Sequence, residues 1–390
     1  MKRFILTVIT LVLLPLISHS SPVVSLITCG ATDQYVFYLY GHTAIRVQLD
    51  SGEDLAFNYG YFSPAQEHFI YNFAVGKPFY SLGVTPMEDF LYDYGAQGRY
   101  VVEQVLNLKE EEANALVEML FWNAQPENRD YKYNFYFDNC ATRPRDLIEE
   151  YTGGITYHVA EEGLPTFREA IRSKSYTAAW YTMGADLCLG WKSDQKMSLH
   201  DAAFLPELLM QEMSTATRNK DGEKLVLMTR ELLPQTKIIG EGSSSPDTPF
   251  WVFLGIAALY ALLSFVQLLW HQELPLKLLR SALYTVLVLG GIIIWFLALI
   301  SEHPHTFPNA HMLLFHPFYI PLIIQLWKRD KKGLGGIALA FVVAIILFLA
   351  LGYLQVYPLP ITILAMIILV DCWRLWQERR KSTPKPQTAP

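Results

Sequence analysis

The chain has 390 residues, 52% of them hydrophobic, with a mean hydropathy of +0.20 and a formal net charge of -6. That balance is too apolar for a purely soluble protein and calls for membrane segments beside a domain of ordinary size. No basic cluster interleaved with aromatic residues occurs, so nucleic-acid binding is set aside.

Residues 1–20 have the form of a secretory signal peptide or an uncleaved signal anchor. Lys2 and Arg3 precede an apolar run, and Ser18 and Ser20 fit the small positions of a cleavage site. Residues 21–245 then read as an exported domain of mixed α and β pattern. A short strand is predicted over 23–27 and a β-branched, aromatic strand over 35–49. Asp50-Ser51-Gly52 turns the chain, and a return strand over 55–61 completes a hairpin. Further on come a loop or short helix over 67–75 and a strand over 80–84. A helix over 86–94 would be capped by Thr85, with Pro86 first and Glu88 three residues after the cap. A strand over 99–108 precedes a helix over 109–123 with Ala113, Leu116, Val117 and Leu120 on one face. Residues 161–242 alternate weak helical segments with loops, and Glu241-Gly242-Ser243-Ser244-Ser245-Pro246 is a linker by composition.

Residues 246–377 hold five apolar spans, near 250–270, 281–300, 312–327, 334–356 and 359–374. The third and fifth are the weakest, being short and containing His316 and Asp371. Lys and Arg follow spans one, three and five, and none occurs in the loops after spans two and four. By the positive-inside rule the 21–245 domain lies outside the cytoplasmic membrane and the tail, 378–390, lies inside.

Chemistry concentrates in Phe137-Asp138-Asn139-Cys140-Ala141-Thr142-Arg143-Pro144-Arg145-Asp146. Cys140 stands where a polar loop meets a helix whose apolar positions are Leu147, Ile148 and Tyr151. Backbone N–H groups at a helix start lower a thiol's pKa. A lone cysteine is commonly a small buried hydrophobe, but these polar and cationic flanks favour a functional thiol. Among ten histidines, His42 in Tyr40-Gly41-His42-Thr43-Ala44-Ile45-Arg46 is the best partner base, because it opens an apolar strand that would aim its ring. His68 and His158 are weaker, lying in loops. His303, His305 and His311 cluster in one membrane loop without acidic or cysteine companions, so no metal site is expected. No cofactor motif occurs. Export would permit Cys29 to pair with Cys188, or Cys29 to line the site instead. Cys372 reads as inert membrane filler.

Thr28-Cys29-Gly30, the His42 segment, Phe57-Asn58-Tyr59-Gly60 and Asn139-Cys140-Ala141-Thr142-Arg143 together resemble the Lnb N-terminal periplasmic domain family, over about residues 22–245. The order of His before an Asn-Cys dipeptide also resembles the permuted papain-like group containing lecithin:retinol acyltransferase. The resemblance implies an α+β papain-like (permuted) domain followed by an all-α membrane domain of about five helices. It implies an apolipoprotein N-acyltransferase of the bacterial inner membrane. An acyl chain would pass from a phospholipid to the N-terminal amine of a diacylglyceryl-modified lipoprotein, with Cys140 as nucleophile and His42 as general base. The papain-like relatives carry a third polar group that orients the histidine. Asn58 is the candidate, with Gln48 and Asp50 as alternatives.

A thioester suits such a transfer, since a thiolate attacks an ester and an amine attacks the thioester. The Cys140 N–H and the Asn139 amide are candidate oxyanion donors. Arg143 and Arg145 are candidates to hold the donor's phosphate, or else pair with Asp146 and Glu149. The aromatic runs around Tyr35, Phe37, Tyr38 and Tyr40, and around Tyr131, Tyr133, Phe135 and Tyr136, would cover acyl chains, rest at the interface or pack the core. Two other functions fit the residues: a cell-wall amidase or peptidase with the same Cys–His pair, and a non-catalytic envelope binding module. The extensive anchor favours a lipid substrate.

Overall fold

The computed structural model describes residues 21–63, 66–240, 245–328 and 334–382, with side chains to 378. The expected signal at 1–20 and the end of the tail lie outside them. β1 (Val23–Cys29) is buried at all but its first position, as befits a strand with neighbours on both edges and cover on both faces. The strand expected over 35–49 divides into a 3-10 turn, Val36–Tyr40, and β2 (His42–Gln48). Gly41 makes the division, with φ +78, and a Cβ there would stand 2.8 Å from the Cys29 carbonyl oxygen. Only glycine fits so close an approach at that backbone angle. β3 (Asp54–Tyr61) returns from the turn, completing the expected hairpin.

The chain continues through α1 (Phe69–Ala74), β4 (Phe79–Pro86), α2 (Met87–Ala96), β5 (Val101–Leu106), α3 (Glu110–Asn123), β6 (Asp130–Lys132) and α4 (Thr142–Thr152). The α2 start lies one residue later than expected; Pro86 takes the cap position. A two-residue ribbon, β7 (Ile155–Thr156) with β8 (Thr217–Arg218), brackets α5 (Phe167–Ser175), α6 (Ala179–Cys188), α7 (Leu199–Ala202) and α8 (Pro206–Thr215). β9 (Val226–Leu233) then joins the sheet in a stretch expected to hold only helices and loops.

The sheet order is β6-β4-β3-β2-β1-β5-β9, antiparallel throughout. The two-residue period of strands gives it two covered faces. Leu26, Ile45 and Phe57 pack with Leu116 and Leu120 of α3 and Ile148 of α4. Ile27, Cys29, Ala44 and Ala56 pack with Met87 and Phe90 of α2. On this second face Arg46 bonds Asp54 at 2.8 Å and Glu103 at 2.9 Å, and Arg230 also pairs with Glu103. These buried charges are matched across β3, β2, β5 and β9, so a one-residue slip of register would orphan them.

Among the described residues, four helices are long and apolar enough to cross a membrane: α9 (Thr248–Trp270), α10 (Leu274–Leu299), and, after α11 (His311–Leu314) and α12 (Tyr319–Trp327), α13 (Leu334–Ala350) and α14 (Leu359–Ser382). The third expected span is therefore not one continuous helix; Phe315 is extended, and Pro317 follows it. The broken segment still runs the length of the bundle. His311 lies with Asn309 and Gln355 at one end, while Trp327 donates to Ser281, near the start of α10, at the other. Asp371, which made the fifth span doubtful, is neutralised by Arg280 at 2.5 Å and also accepts bonds from Tyr260 and Tyr284.

Candidate active site

Cys29 and His42 are direct partners across β1 and β2, and strand parity puts Asn58 of β3 on the same face. The His42 Nε2 lies 3.3 Å from the Asn58 Oδ1. Asn58 is fully buried, and its Nδ2 donates to the Ala56 carbonyl at 3.2 Å and to Thr85 Oγ1 at 3.3 Å. A carbonyl only accepts, so the amide orientation is fixed with Oδ1 toward the imidazole. His42 Nε2 must then carry the proton, leaving Nδ1 with the free lone pair. Of the three candidates for a residue that touches His42, Asn58 is the one that does. Gln48 points its amide to Asp54, and Asp50 lies in the exposed hairpin turn.

Cys140 sits in the turn leading into α4, with its side chain partly open to solvent. The backbone N–H groups of Thr43 and of Cys140 itself both point at the thiol, placing the sulfur beside the residue that follows His42. Gly60 lies against Cys140: its φ of +100 favours glycine, and a Cβ there would stand 3.5 Å from that of the cysteine, in ordinary contact. The sequence thus brings Cys140, His42 and Asn58 to one corner of the sheet, from β2, β3 and the head of α4.

The expected low thiol pKa is not found. Burial pushes Cys140 up to about 11, outweighing the two N–H groups and the more distant Arg99. Burial pulls His42 down to about 4, with Arg99 adding to the drop and Asn58 opposing it. At neutral pH the two groups rest as thiol and neutral imidazole.

Asn139 does not serve as an oxyanion donor. Its Nδ2 donates to the carbonyls of Phe135 (2.7 Å) and Phe204 (2.9 Å), so both amide hydrogens are committed. Its Oδ1 accepts from Ala141 and Thr142, which makes it the clamp that shapes the Cys140 turn. Arg143 is held by Asp138 and lies 3.7 Å over the Tyr131 ring. Arg145 is buried, bonded to Asp146 and the His200 carbonyl. Neither is a free phosphate ligand; both pair locally. Tyr40 is core, its hydroxyl 2.9 Å from that of Tyr181.

Cys29 and Cys188 are free thiols, not a disulfide. Cys29 instead lines the site, fully buried and pushed up to about 12. Cys188 ends α6, where the exported domain meets the membrane helices. The three clustered histidines diverge: His303 bonds the Phe73 carbonyl, His305 packs among Tyr136, Phe137 and Phe167, and His311 meets Asn309 and Gln355. Among the described residues no group of His, Cys, Asp or Glu side chains is placed to hold a metal.

Sequence reading missed Arg99 and Tyr94. The Tyr94 ring stacks toward His42, 6.4 Å away and 18° from parallel, and its hydroxyl meets the Cys29 thiol. The Arg99 guanidinium lies 4.4 Å over Tyr94. It is 1% exposed, bonds the Gly30 carbonyl and Gln97, keeps one nitrogen without a hydrogen-bond partner, and has no carboxylate in reach among the described residues. An uncompensated buried cation beside a thiol and an imidazole lowers the pKa of both.

A thiol, an oriented imidazole and an amide on an α+β domain fixed to a helical bundle define a membrane-associated protein with the parts for thiol chemistry. Comparison with known families gives two matches: the Lnb N-terminal periplasmic domain over residues 19–173 and the Lnb transmembrane domain over residues 241–382. Together they take in most of the chain, in order, and the chain belongs to the Lnb family. Membership points to a membrane-associated, lipoprotein-modifying enzyme whose N-terminal domain is periplasmic. No curated protein and no solved structure matches the chain.

Proposed function

We propose that the protein is an apolipoprotein N-acyltransferase that works through a thioester on Cys140, in a permuted papain-like arrangement. The observation that carries this reading is the fixed Asn58–His42 contact, which leaves His42 Nδ1 as the base on the strand whose next amide touches the Cys140 sulfur. His42 takes the thiol proton as sulfur attacks the phospholipid ester carbonyl. The C–O bond breaks, and the imidazolium returns the proton to the departing lysophospholipid oxygen. The α-amine of a diacylated lipoprotein then attacks the thioester. Its proton passes through His42 back to the sulfur, and an amide remains.

A resting neutral pair suits this sequence, because the charge separates only when an ester is in place. The N–H groups of Cys140 and Thr43 are the candidate oxyanion donors. Loss of positive charge on alternate loops supports a cytoplasmic C-terminus, opposite the catalytic domain. The test is acylation of a diacylated lipopeptide from phospholipid in nanodiscs. His42→Ala is expected to lose about 10²–10⁴-fold and Cys140→Ala all measurable transfer. Full transfer by Cys140→Ala would reject the thioester route.

A further inference from the structure

α1 has the sequence Phe69-Ile70-Tyr71-Asn72-Phe73-Ala74, and none of its residues is buried; Ile70 is 83% and Tyr71 66% exposed. A six-residue helix that turns its largest apolar side chains outward is poorly suited to water. Its location gives those side chains another neighbour. The Val75 carbonyl accepts the Glu302 N–H at 2.9 Å, and His303 bonds the Phe73 carbonyl at 2.7 Å. Glu302 also pairs with Lys77, just past α1, and with Lys132 of β6. Residues 302 and 303 directly follow the outer end of membrane helix α10, where Leu299 and Ile300 are exposed and apolar. α1 is therefore pinned at the height where a bilayer's outer surface must lie.

From α1 a contiguous series of rings leads inward. Phe73 meets Phe69, Phe69 stacks on Phe62 at 5.6 Å, and Phe62 meets Phe37 at 5.4 Å. Phe37 touches Tyr38, which lies under the Arg99 guanidinium beside Tyr94 and His42. We propose that α1 rests in the outer leaflet of the membrane and that this aromatic strip guides one acyl chain of a bilayer phospholipid from the leaflet to Cys140. The second half of the inference rests on the acyl-transfer reading; the first half does not.

The test uses the full chain in phosphatidylethanolamine–phosphatidylglycerol nanodiscs. Cys140 acylation is followed by intact mass with the bilayer phospholipid and with soluble p-nitrophenyl butyrate as donors. In Ile70→Glu/Tyr71→Glu the ratio of the phospholipid rate to the soluble-ester rate is expected to fall at least tenfold. An unchanged ratio, including an equal loss of both rates, overturns the guiding role. A second readout needs no catalysis: the added emission of Ile70→Trp should be quenched by lipids brominated near the glycerol. Absence of that quenching overturns the leaflet contact. If wild-type protein takes an acyl group from neither donor, the acyl-transfer reading fails while the quenching still decides where α1 lies.

Discussion

Arg99 modifies a resting state that burial sets at both Cys140 and His42. Its charge pulls down both groups, opposing the burial that raises Cys140 and adding to the burial that lowers His42. Because thiolate is the reactive form, iodoacetamide labelling of Cys140 should rise about tenfold per pH unit from pH 7 toward the midpoint near 11. Arg99→Met removes a cation, which raises the thiol pKa, so labelling at any fixed pH in that range should fall. A rate already at its plateau at pH 7 would contradict the protonated resting thiol. Cys140 and His42 could be singled out as candidates because a polar Asn-Cys turn before a helix and a histidine opening an apolar strand are local patterns, and the fold brings the two segments to one corner of the sheet. Arg99 and Tyr94 were not. Each is an ordinary residue at its own position, and only the packing of α2 on the β1–β2 face brings them to the imidazole. The Asn139 role was misread because its amide is committed to carbonyls of residues 135 and 204, the second of them distant in sequence.

Elements were legible where one face is buried. The Asp50-Ser51-Gly52 turn revealed the hairpin that β3 completes, and a helical face of Ala113, Leu116, Val117 and Leu120 revealed α3. β9 escaped because it is an edge strand whose eight positions are all exposed or partly exposed, so no alternation marks it. The 35–49 strand was drawn too long because Gly41, which ends the 3-10 turn, carries no periodicity of its own. The contact between α1 and the outer loop could not be read from sequence, as 230 positions separate Phe73 from His303. That contact depends on Glu302, whose carboxyl Lys132 and Lys77 hold down to about 2. Glu302→Ala should therefore release α1 locally. Amide hydrogen exchange over residues 69–77 is expected to quicken, with exchange in β2 unchanged. Equal protection in both proteins would show that the two lysine pairs do not hold this junction.

The whole molecule is a sheet domain seated on its own membrane bundle, and the bundle's polar centre carries part of that arrangement. Arg280, Asp371, Tyr260 and Tyr284 join α9, α10 and α14 inside the helical bundle, where all four are buried. Removing one partner of a buried pair leaves the other charge uncompensated. Asp371→Ala should destabilise the bundle by about 3 kcal/mol or more, seen as a lower thermal transition in detergent. Arg280→Met/Asp371→Leu should recover most of that loss, since it buries no orphan charge. A transition unmoved by Asp371→Ala would mean the pair is solvated. Composition foretold a membrane bundle beside an exported domain, and hydropathy found its spans. It could not foretell that the third passes as a broken pair of short helices, because Phe315-His316-Pro317 interrupts an otherwise apolar run.

The thioester route is tested most directly by what becomes of Cys140 when phospholipid is supplied. Intact mass should show one acyl group added to the wild-type chain and none to Cys140→Ala. The adduct should be released by hydroxylamine and discharged by a diacylated lipopeptide, which gains the same mass. An adduct discharged by water alone, or a lipopeptide acylated with no adduct at Cys140, would contradict the thioester relay.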